Sequence, residues 1–407
     1  MKALYRFTPF LSLGILMLAT GLFNTLIPLK LKVDDYSDFV IGGLGSLYYF
    51  GMFLGSISIS KFLNKVGPSK TFILAALSLA IVTIIPGFHM NLILWGIARL
   101  IGGYSLAWLY VVVESWVLSI SNNRNRGKNL AIYMIVLYLG QSGGQLFLGI
   151  TDISSVIPFV IAAILTVVSI VPITVIKGTM PHIDIPDAIG FKKLYKISPT
   201  GIMGCIVSGI VLASIYSLLP VYFKDSGYDI KVVATMMSVV IAGGVFLQYP
   251  FGLISDHVDR RIMLILLCVA GIVMSVAMIF ASYLSIQSEV LIFVLIFMFG
   301  GLTFSIYPIS LNHTCDYIDN KYVVEATQGM LLAYGIGSFI GPVTISLAMS
   351  FFGANGLFYS FIVTLLFMII FMIIRMMASN KAIGVGGEYI GNTPHVELST
   401  KPHSEEE

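Results

Sequence analysis

Twelve apolar runs of about 20 residues each dominate the sequence and leave few options for how it folds. They fall at about 8–29, 40–60, 70–88, 91–114, 128–150, 156–176, 199–223, 232–254, 262–283, 288–312, 327–351 and 355–378. A run of that length satisfies its backbone polar groups as an α-helix and crosses the hydrocarbon core of a bilayer. Composition agrees: 57% of the 407 residues are hydrophobic and 11% are charged, against about 25% charged in an ordinary soluble domain. With a mean hydropathy of +0.94, the chain has more apolar surface than a water-soluble protein of this length can hide, so its solvent is lipid.

The first run follows Lys2 and Arg6, as the apolar part of a signal peptide would. It exceeds the about 7–15 residues of such a region, and no small-x-small cleavage pattern follows it. It is therefore read as the first helix. The longest polar interruption before the C-terminal tail, KGTMPHIDIPDAIGFKKLYKIS (177–198), divides the runs six and six. The expected architecture is all-α integral membrane with 12 transmembrane helices: a six-helix bundle over 1–176, a cytoplasmic linker over 177–198, a second six-helix bundle over 199–378 and a disordered tail over 379–407. Lys and Arg fall unevenly on the two sides, 18 on the side of the N-terminus against 4 (Lys30, Lys32, Lys224 and Lys231) on the other. That bias predicts both termini in the cytoplasm of a bacterium, with the chain in its inner membrane.

A net charge of +3 with no basic stripe gives no sign of a nucleic-acid partner. Cys205, Cys268 and Cys315 lie far apart with no C-x-x-C, so neither a disulfide framework nor a metal site is expected. P-loop, H-E-x-x-H and G-x-S-x-G patterns are missing, so the sequence predicts neither an enzyme nor a cofactor.

The two halves repeat one another. NTLIPLKL (24–31) and YSLLPVYF (216–223) match at a spacing of 192, which superimposes Pro28 on Pro220 and Asn64 on Asp256. GGYSLAWLY (102–110) and GGLTFSIYP (300–308) match at 198, and GQSGG (140–144) and GSFIG (337–341) at 197. Two parallel six-helix repeats put a cavity at their interface, near the bilayer midplane.

GLISDHVDRR (252–261) resembles the G-x-L-x-D-R-x-G-R-R signature of the major facilitator superfamily, the match resting on Gly252, Asp256, Arg260 and Arg261; His257 and Asp259 depart from it. Arg99-Leu100-Ile101-Gly102-Gly103 resembles the family's R-x-x-x-G motif, and Gly337-Ser338-Phe339-Ile340-Gly341-Pro342 its G-x-x-x-G-P pattern. VVVESWVLSISNNRNRG and GGLTFSIYPISLNH are similar in texture to the YcaD-like bacterial branch. Gln145 stands where exporters of the superfamily often have Pro. The resemblance spans nearly all of 1–378 and implies two pseudo-symmetric six-helix bundles.

In the orientation above, 252–261 lies on the cytoplasmic face. Asp256 can there accept N–H bonds from a neighbouring helix start, while Arg260 and Arg261 can pair with carboxylates or helix C-terminal carbonyls. Such contacts would latch the cytoplasmic ends together. Positive-inside anchoring is the other reading, and it accounts for Arg260 and Arg261 but not for Gly252 and Asp256. The counterpart SKFLNKVGPSK (60–70) is degraded, with Asn64 at the acidic position and Pro68 and Ser69 in place of the basic pair. Glu114, about 34 Å along the helix from Asn91 at 1.5 Å per residue, is expected at the cytoplasmic end of the fourth helix. Lys65, Arg124 or Arg126 would meet it there as part of the gate.

Arg99 lies only about 12 Å along the same helix, at hydrocarbon depth. With Gly103, Ala107, Tyr110 and Glu114 it forms one helical stripe, as a helix lining a water-filled cavity needs. It is read either as a post bonded to backbone carbonyls of the first helix or as a group that meets substrate or protons. Asn24, Gln141, Tyr216, Gln248, Tyr307 and Asn312 join Arg99 and Tyr110 as cavity candidates, each also open to plain interhelical hydrogen bonding. No Asp or Glu is expected at mid-depth, and His313 is read as a polar helix end. The glycines of GQSGGQLFLG and GIGSFIGP are read as sites of close helix approach.

These features predict a secondary transporter of a small solute working by alternating access. Its expected partners are a small-molecule substrate, the lipid bilayer and a coupling proton, with a monomer as the expected state. Arg99 favours an anionic or zwitterionic metabolite. A drug-type exporter of lipophilic compounds and a transport-inactive receptor or scaffold are the alternatives.

Overall fold

The computed structural model describes residues 2–89, 91–121, 126–175, 190–284, 288–319 and 322–383. Its long helices are α1 (Lys2–Val33), α2 (Asp38–Val66), α3 (Pro68–Phe88), α4 (Leu92–Ser119) and α5 (Arg126–Leu146), the last ending in a 3-10 turn (Phe147–Ile150). The sixth crossing is built from α6 (Ile157–Val168) and α7 (Val171–Val175) in tandem, and α8 (Phe191–Ile197) is short. The second half holds α9 (Pro199–Asp225), α10 (Ile230–Ser255), α11 (Arg260–Tyr283), α12 (Glu289–Cys315), α13 (Val323–Phe352) and α14 (Gly356–Ile383). Among the described residues, twelve spans are long and apolar enough to cross a membrane, and there is no strand. An even number of crossings puts both ends on one side, here the terminal face; the other is the far face. Most of 177–198 and of the tail lies outside the described residues, while α14 runs on to Ile383.

Local chemistry sets the helix ends. Asn91 caps α4 by accepting from the Ile93 and Leu94 amides at 3.0 and 3.1 Å. Gly67, at φ +86, makes the whole turn between α2 and α3, and Pro68 starts α3 where an N–H has no partner anyway. In α8, Leu194 is fully buried against Ile202, Cys205, Ala326 and Met330, while Lys192, Lys193 and Lys196 face outward. The linker helix thereby closes the base of α9 and α13 on the terminal face.

Within each half the helices meet glycine to backbone. A Cβ on Gly103 would strike the Tyr48 carbonyl, one on Gly51 the Leu100 carbonyl and one on Gly144 the Leu18 carbonyl. In the second half Gly300 meets the Val240 carbonyl, Gly243 that of Phe297 and Gly341 that of Ile210. These pairs are the same contacts twice. They keep the 192 spacing for α1 and α2 onto α9 and α10, and the 197 spacing for α5 onto α13. For α4 onto α12 they correct the sequence register of 198 to 197, since Gly103 is the mate of Gly300. Tyr110 then falls on Tyr307, Asn24 on Tyr216, and Arg99 on the apolar Ile296.

The two bundles share one apolar cluster, to which the first contributes residues of its far-face half: Leu22, Leu26, Leu29, Ile41, Leu44 and Trp95 among them. Nearer the terminal face, Leu13, Leu16, Ile59, Leu63 and Val117 belong to a separate cluster whose buried members come from the first bundle except for Ala213 of α9. The apolar packing between the bundles thus lies mainly on one side.

Replacing Gly144 or Gly341 by Val forces a helix pair apart in a packed core, and each should lower the stability of the purified protein by about 1–3 kcal/mol. Gly43→Ala, where nothing stands within 4 Å of the added carbon, should leave the melting temperature unchanged or raise it. Thermal unfolding in detergent compares the three.

Candidate functional site

Six helices bring polar groups together at the bundle interface. Gln141 of α5, 6% exposed, accepts from the Tyr216 hydroxyl of α9 at 2.8 Å and donates to Tyr110 of α4 at 3.4 Å. Gln141 thus bridges the bundles, with Tyr138 edge-on to Phe304 at 5.6 Å beside it. Tyr307 meets the Tyr334 ring at 5.3 Å, and Tyr110 also reaches the Met17 sulfur at 3.6 Å. Tyr49, Tyr110, Tyr138, Tyr216 and Tyr307 all fall within electrostatic range of Tyr334. The result is a cluster of phenols between the bundles.

Arg99 is 4% exposed, deep in the first bundle. Its Cζ stands 4.0 Å from the Tyr48 ring centroid and 5.8 Å from that of Phe23, so α2 and α1 hold the guanidinium by cation–π contact. The Tyr48 hydroxyl meets Asn24. Arg99 Nε and Nη1 are buried with no acceptor among the described residues. The stripe drawn through Arg99, Gly103 and Ala107 does not line open space: Gly103 packs on the Tyr48 carbonyl and Ala107 against Gly55 of α2. Only its last two members, Tyr110 and Glu114, turn to the interface. Gln248 is half-buried with Oε1 unpartnered, and Asn312 is exposed near the end of α12.

The gate residues of the second bundle find partners within that bundle. Asp256 caps the C-terminus of α10 and pairs with Arg260 at 3.1 Å, and Arg260 Nε donates to Asp316 at 2.8 Å. Arg261 pairs with Asp259 at 2.7 Å, and Asp259 also caps α11 through the Arg261 amide at 2.8 Å. Hydrogen bonds from Arg261 hold the Asp259 carboxyl below the usual carboxylate range. His313 is buried below this loop, its ring 5.2 Å from Tyr317. Nothing stands within 4 Å of the carbon an Ala would add at Gly252. On the first bundle Lys65 is exposed, whereas Arg124 and the side chain of Arg126 lie outside the described residues. Glu114 lies not at the surface but half-buried, a turn and a half inside the end of α4, within electrostatic range of Tyr133 and Tyr307.

The far face carries a seal that sequence reasoning missed. Lys32 of α1 reaches Asp38 of its own bundle and Asp225 of the other, each at 2.8 Å. Val343 N donates to Ser46 Oγ at 3.1 Å, Ser142 and Ser238 exchange hydrogen bonds, and Phe50 meets Phe339 at 5.0 Å. Gly42 and Gly45 close on Ser346 and Ser217. Among the described side chains, these bonds and ring contacts between the bundles lie in the far-face half or at mid-depth. A signal existed: Lys32 and Asp225 end helices that the repeat aligns. The positive-inside count uses such charges only for orientation.

A family model described as Major Facilitator Superfamily matches residues 10–342. An uncharacterized MFS-type transporter, YcaD of Escherichia coli O7:K1, is 30% identical over 365 residues, covering 89% of this chain and 93% of that protein. A second from Enterobacter sp. strain 638 is 29% identical over 364 residues, with the same shares covered. Among solved structures, a mutant of the nucleoside transporter NupG superposes with a TM-score of 0.77 at 11% identity, covering 91% of this chain and 99% of that one. A D-xylose-proton symporter superposes at 0.71 and 12% identity, covering 89% and 97%.

The Lys32–Asp225 pair is partly exposed and worth about 1 kcal/mol or less. Asp225→Asn should therefore loosen the far face by up to about fivefold in population. Distances between spin labels at Phe39 and Ser226, both exposed, should broaden toward longer values; an unchanged distribution would make the pair a surface contact only.

Proposed function

Because the chain belongs to the Major Facilitator Superfamily, and is thus a membrane transporter and not an enzyme, we propose that it moves a small anionic or zwitterionic solute by alternating access across a bacterial inner membrane. The moving bodies are 1–176 and 199–378. The observation that carries the reading is where the bundles join: the bonds seen between them, Lys32 to Asp225, Val343 to Ser46 and Tyr216 to Gln141, lie in the far-face half and at mid-depth. With the terminal face in the cytoplasm, as the 18 to 4 Lys/Arg bias favours, this is an inward-open state. Rocking the bundles breaks the far-face seal and brings Asp256, Arg260 and Arg261 toward the first bundle. Gly252 supports that motion, since no contact in the present state uses its small size.

The solute class follows from Arg99. A buried guanidinium with two unpartnered nitrogens is costly. An anionic oxygen accepting from either nitrogen would relieve part of that cost, a carboxylate or phosphate on the Nε and Nη2 edge doing so as a bidentate pair, whereas a lipophilic cation would be repelled. Tyr110, Gln141, Tyr216 and Tyr307 supply neutral donors and acceptors between the bundles.

Cysteines introduced at 192 or 381 should resist impermeant thiol reagents in intact cells, and labelling there from outside would reverse the orientation. Asp256→Asn should insert normally and favour inward-open, read as longer distances across the terminal face. In a thermal-shift screen of anionic metabolites on purified protein, any hit should be lost in Arg99→Gln and weakened about tenfold in Arg99→Lys, which keeps the charge but not the fork. Stabilisation by a permanent cation, undiminished in Arg99→Gln, would refute the anionic class.

A further inference from the structure

We infer that Glu114 is a proton-binding site whose ionised form holds the terminal face open, so that closing this side of the transporter requires one proton. The inference rests on the alternating-access reading above and adds the group that couples it to a proton gradient.

Glu114 belongs to α4, one turn below Tyr110 on the same face. It is a carboxylate within a membrane span rather than at a helix end, and it is half-buried. Around it stand Tyr110 on its own helix, Tyr133 on α5, and Tyr307 on α12 of the opposite bundle. No charged side chain among the described residues stands within range of it; Arg124 and the side chain of Arg126 lie outside them. Its repeat mate is the apolar Leu311, so the fold does not need a carboxylate at this point.

Three occupants would match such a charge. A metal ion needs several oxygen ligands, and no group of three or more acidic, His or Cys side chains that could hold one exists among the described residues. The cationic end of a solute held at Arg99 cannot reach it, since 15 residues of helix separate the two by about 22 Å. A proton fits: one carboxylate takes one proton from hydronium, leaving water, and gives it back to water when the site next opens.

Coupling follows from Tyr307. Bringing the terminal-face halves together moves the second bundle over Glu114 and removes its remaining water. Burying an ionised carboxylate among neutral phenols is costly, whereas the carboxylic acid has a proton to donate to a phenol oxygen. Ionised Glu114 therefore resists closure and protonated Glu114 permits it.

The test uses full-length protein in nanodiscs, with Cys205, Cys268 and Cys315 replaced and spin labels at Lys70 and Val258, which face solvent on the two bundles. In the wild type the short-distance, closed population should rise several-fold between about pH 9 and about pH 5. Glu114→Gln should hold the closed population at its acidic level throughout, and Glu114→Asp should restore the pH dependence. Tyr307→Phe, which keeps the carboxylate, should move the midpoint by about one pH unit. Infrared difference spectra should show a carboxylic-acid band that titrates in the wild type and is missing in Glu114→Gln. An equal pH response in wild type and Glu114→Gln, or distances in the wild type that ignore pH, overturns the proton site. If both closed and open populations are still seen in that case, alternating access stands without it; a single rigid distance in every variant would sink that reading as well.

Discussion

In lipid, apolar side chains gain nothing by leaving solvent for one another, so helices associate through close packing. In this chain the closest packing occurs where a glycine meets a main-chain carbonyl, and most of those seams run inside the bundles: α1 on α5, α2 on α4, α9 on α13 and α10 on α12; Gly42, against the Pro342 carbonyl, is one that runs between them. Most other contacts between the bundles are of another kind. Glycines meet serines, serines exchange hydrogen bonds and one lysine spans two aspartates. Side-chain bonds at one end can be broken without disturbing a backbone seam. Two stiff bodies joined by a breakable seal are what rocking requires.

The repeat is kept where it carries packing and broken where it carries charge. Gly103 and Gly300, Gly144 and Gly341, and Pro28 and Pro220 are mates, as are Tyr110 and Tyr307 in the central cluster of phenols. Arg99 and Glu114 instead face Ile296 and Leu311 across the repeat. A charge inside a bilayer is expensive, and the second bundle folds without one at either point. Its presence in the first bundle therefore answers to something other than assembly. Tyr48 and Phe23 offset part of the cost for Arg99 by lying against it.

Much of the fold was legible because the signals that fix it are local. Hydropathy over a span length marks all twelve crossings, and small residues mark the helix seams whatever their partners. Partner identity is a tertiary matter and was not legible. The stripe from Arg99 through Ala107 has the period of a cavity-lining face, yet its small residues are the seam with α2. Glu114, counted from Asn91, reached the expected end of the fourth helix, but α4 continues to Ser119 and the carboxylate is left inside. The one-residue error in matching α4 to α12 has the same origin: two adjacent glycines, 102 and 103, read alike in sequence, and only contact with the Tyr48 carbonyl tells them apart.

The charges at both faces share a property that bears on how evenly the two states are balanced. Lys32 holds Asp38 of its own bundle as well as Asp225 of the other, so opening the far face leaves it paired. Arg260 holds Asp256 and Asp316 within the second bundle and still has Nη1 without an acceptor. An approaching main-chain carbonyl of the first bundle could take that donor while the existing pairs stay. Opening the far face parts Asp225 from Lys32 only where water reaches it, and closing the terminal face adds a partner to Arg260, so neither step leaves a charge buried and unpaired at a penalty of several kcal/mol. A partly exposed pair contributes about 1 kcal/mol or less. Gates built this way tilt the equilibrium without locking it, and the difference between the states stays within the few kcal/mol that a bound solute or a single proton can overturn.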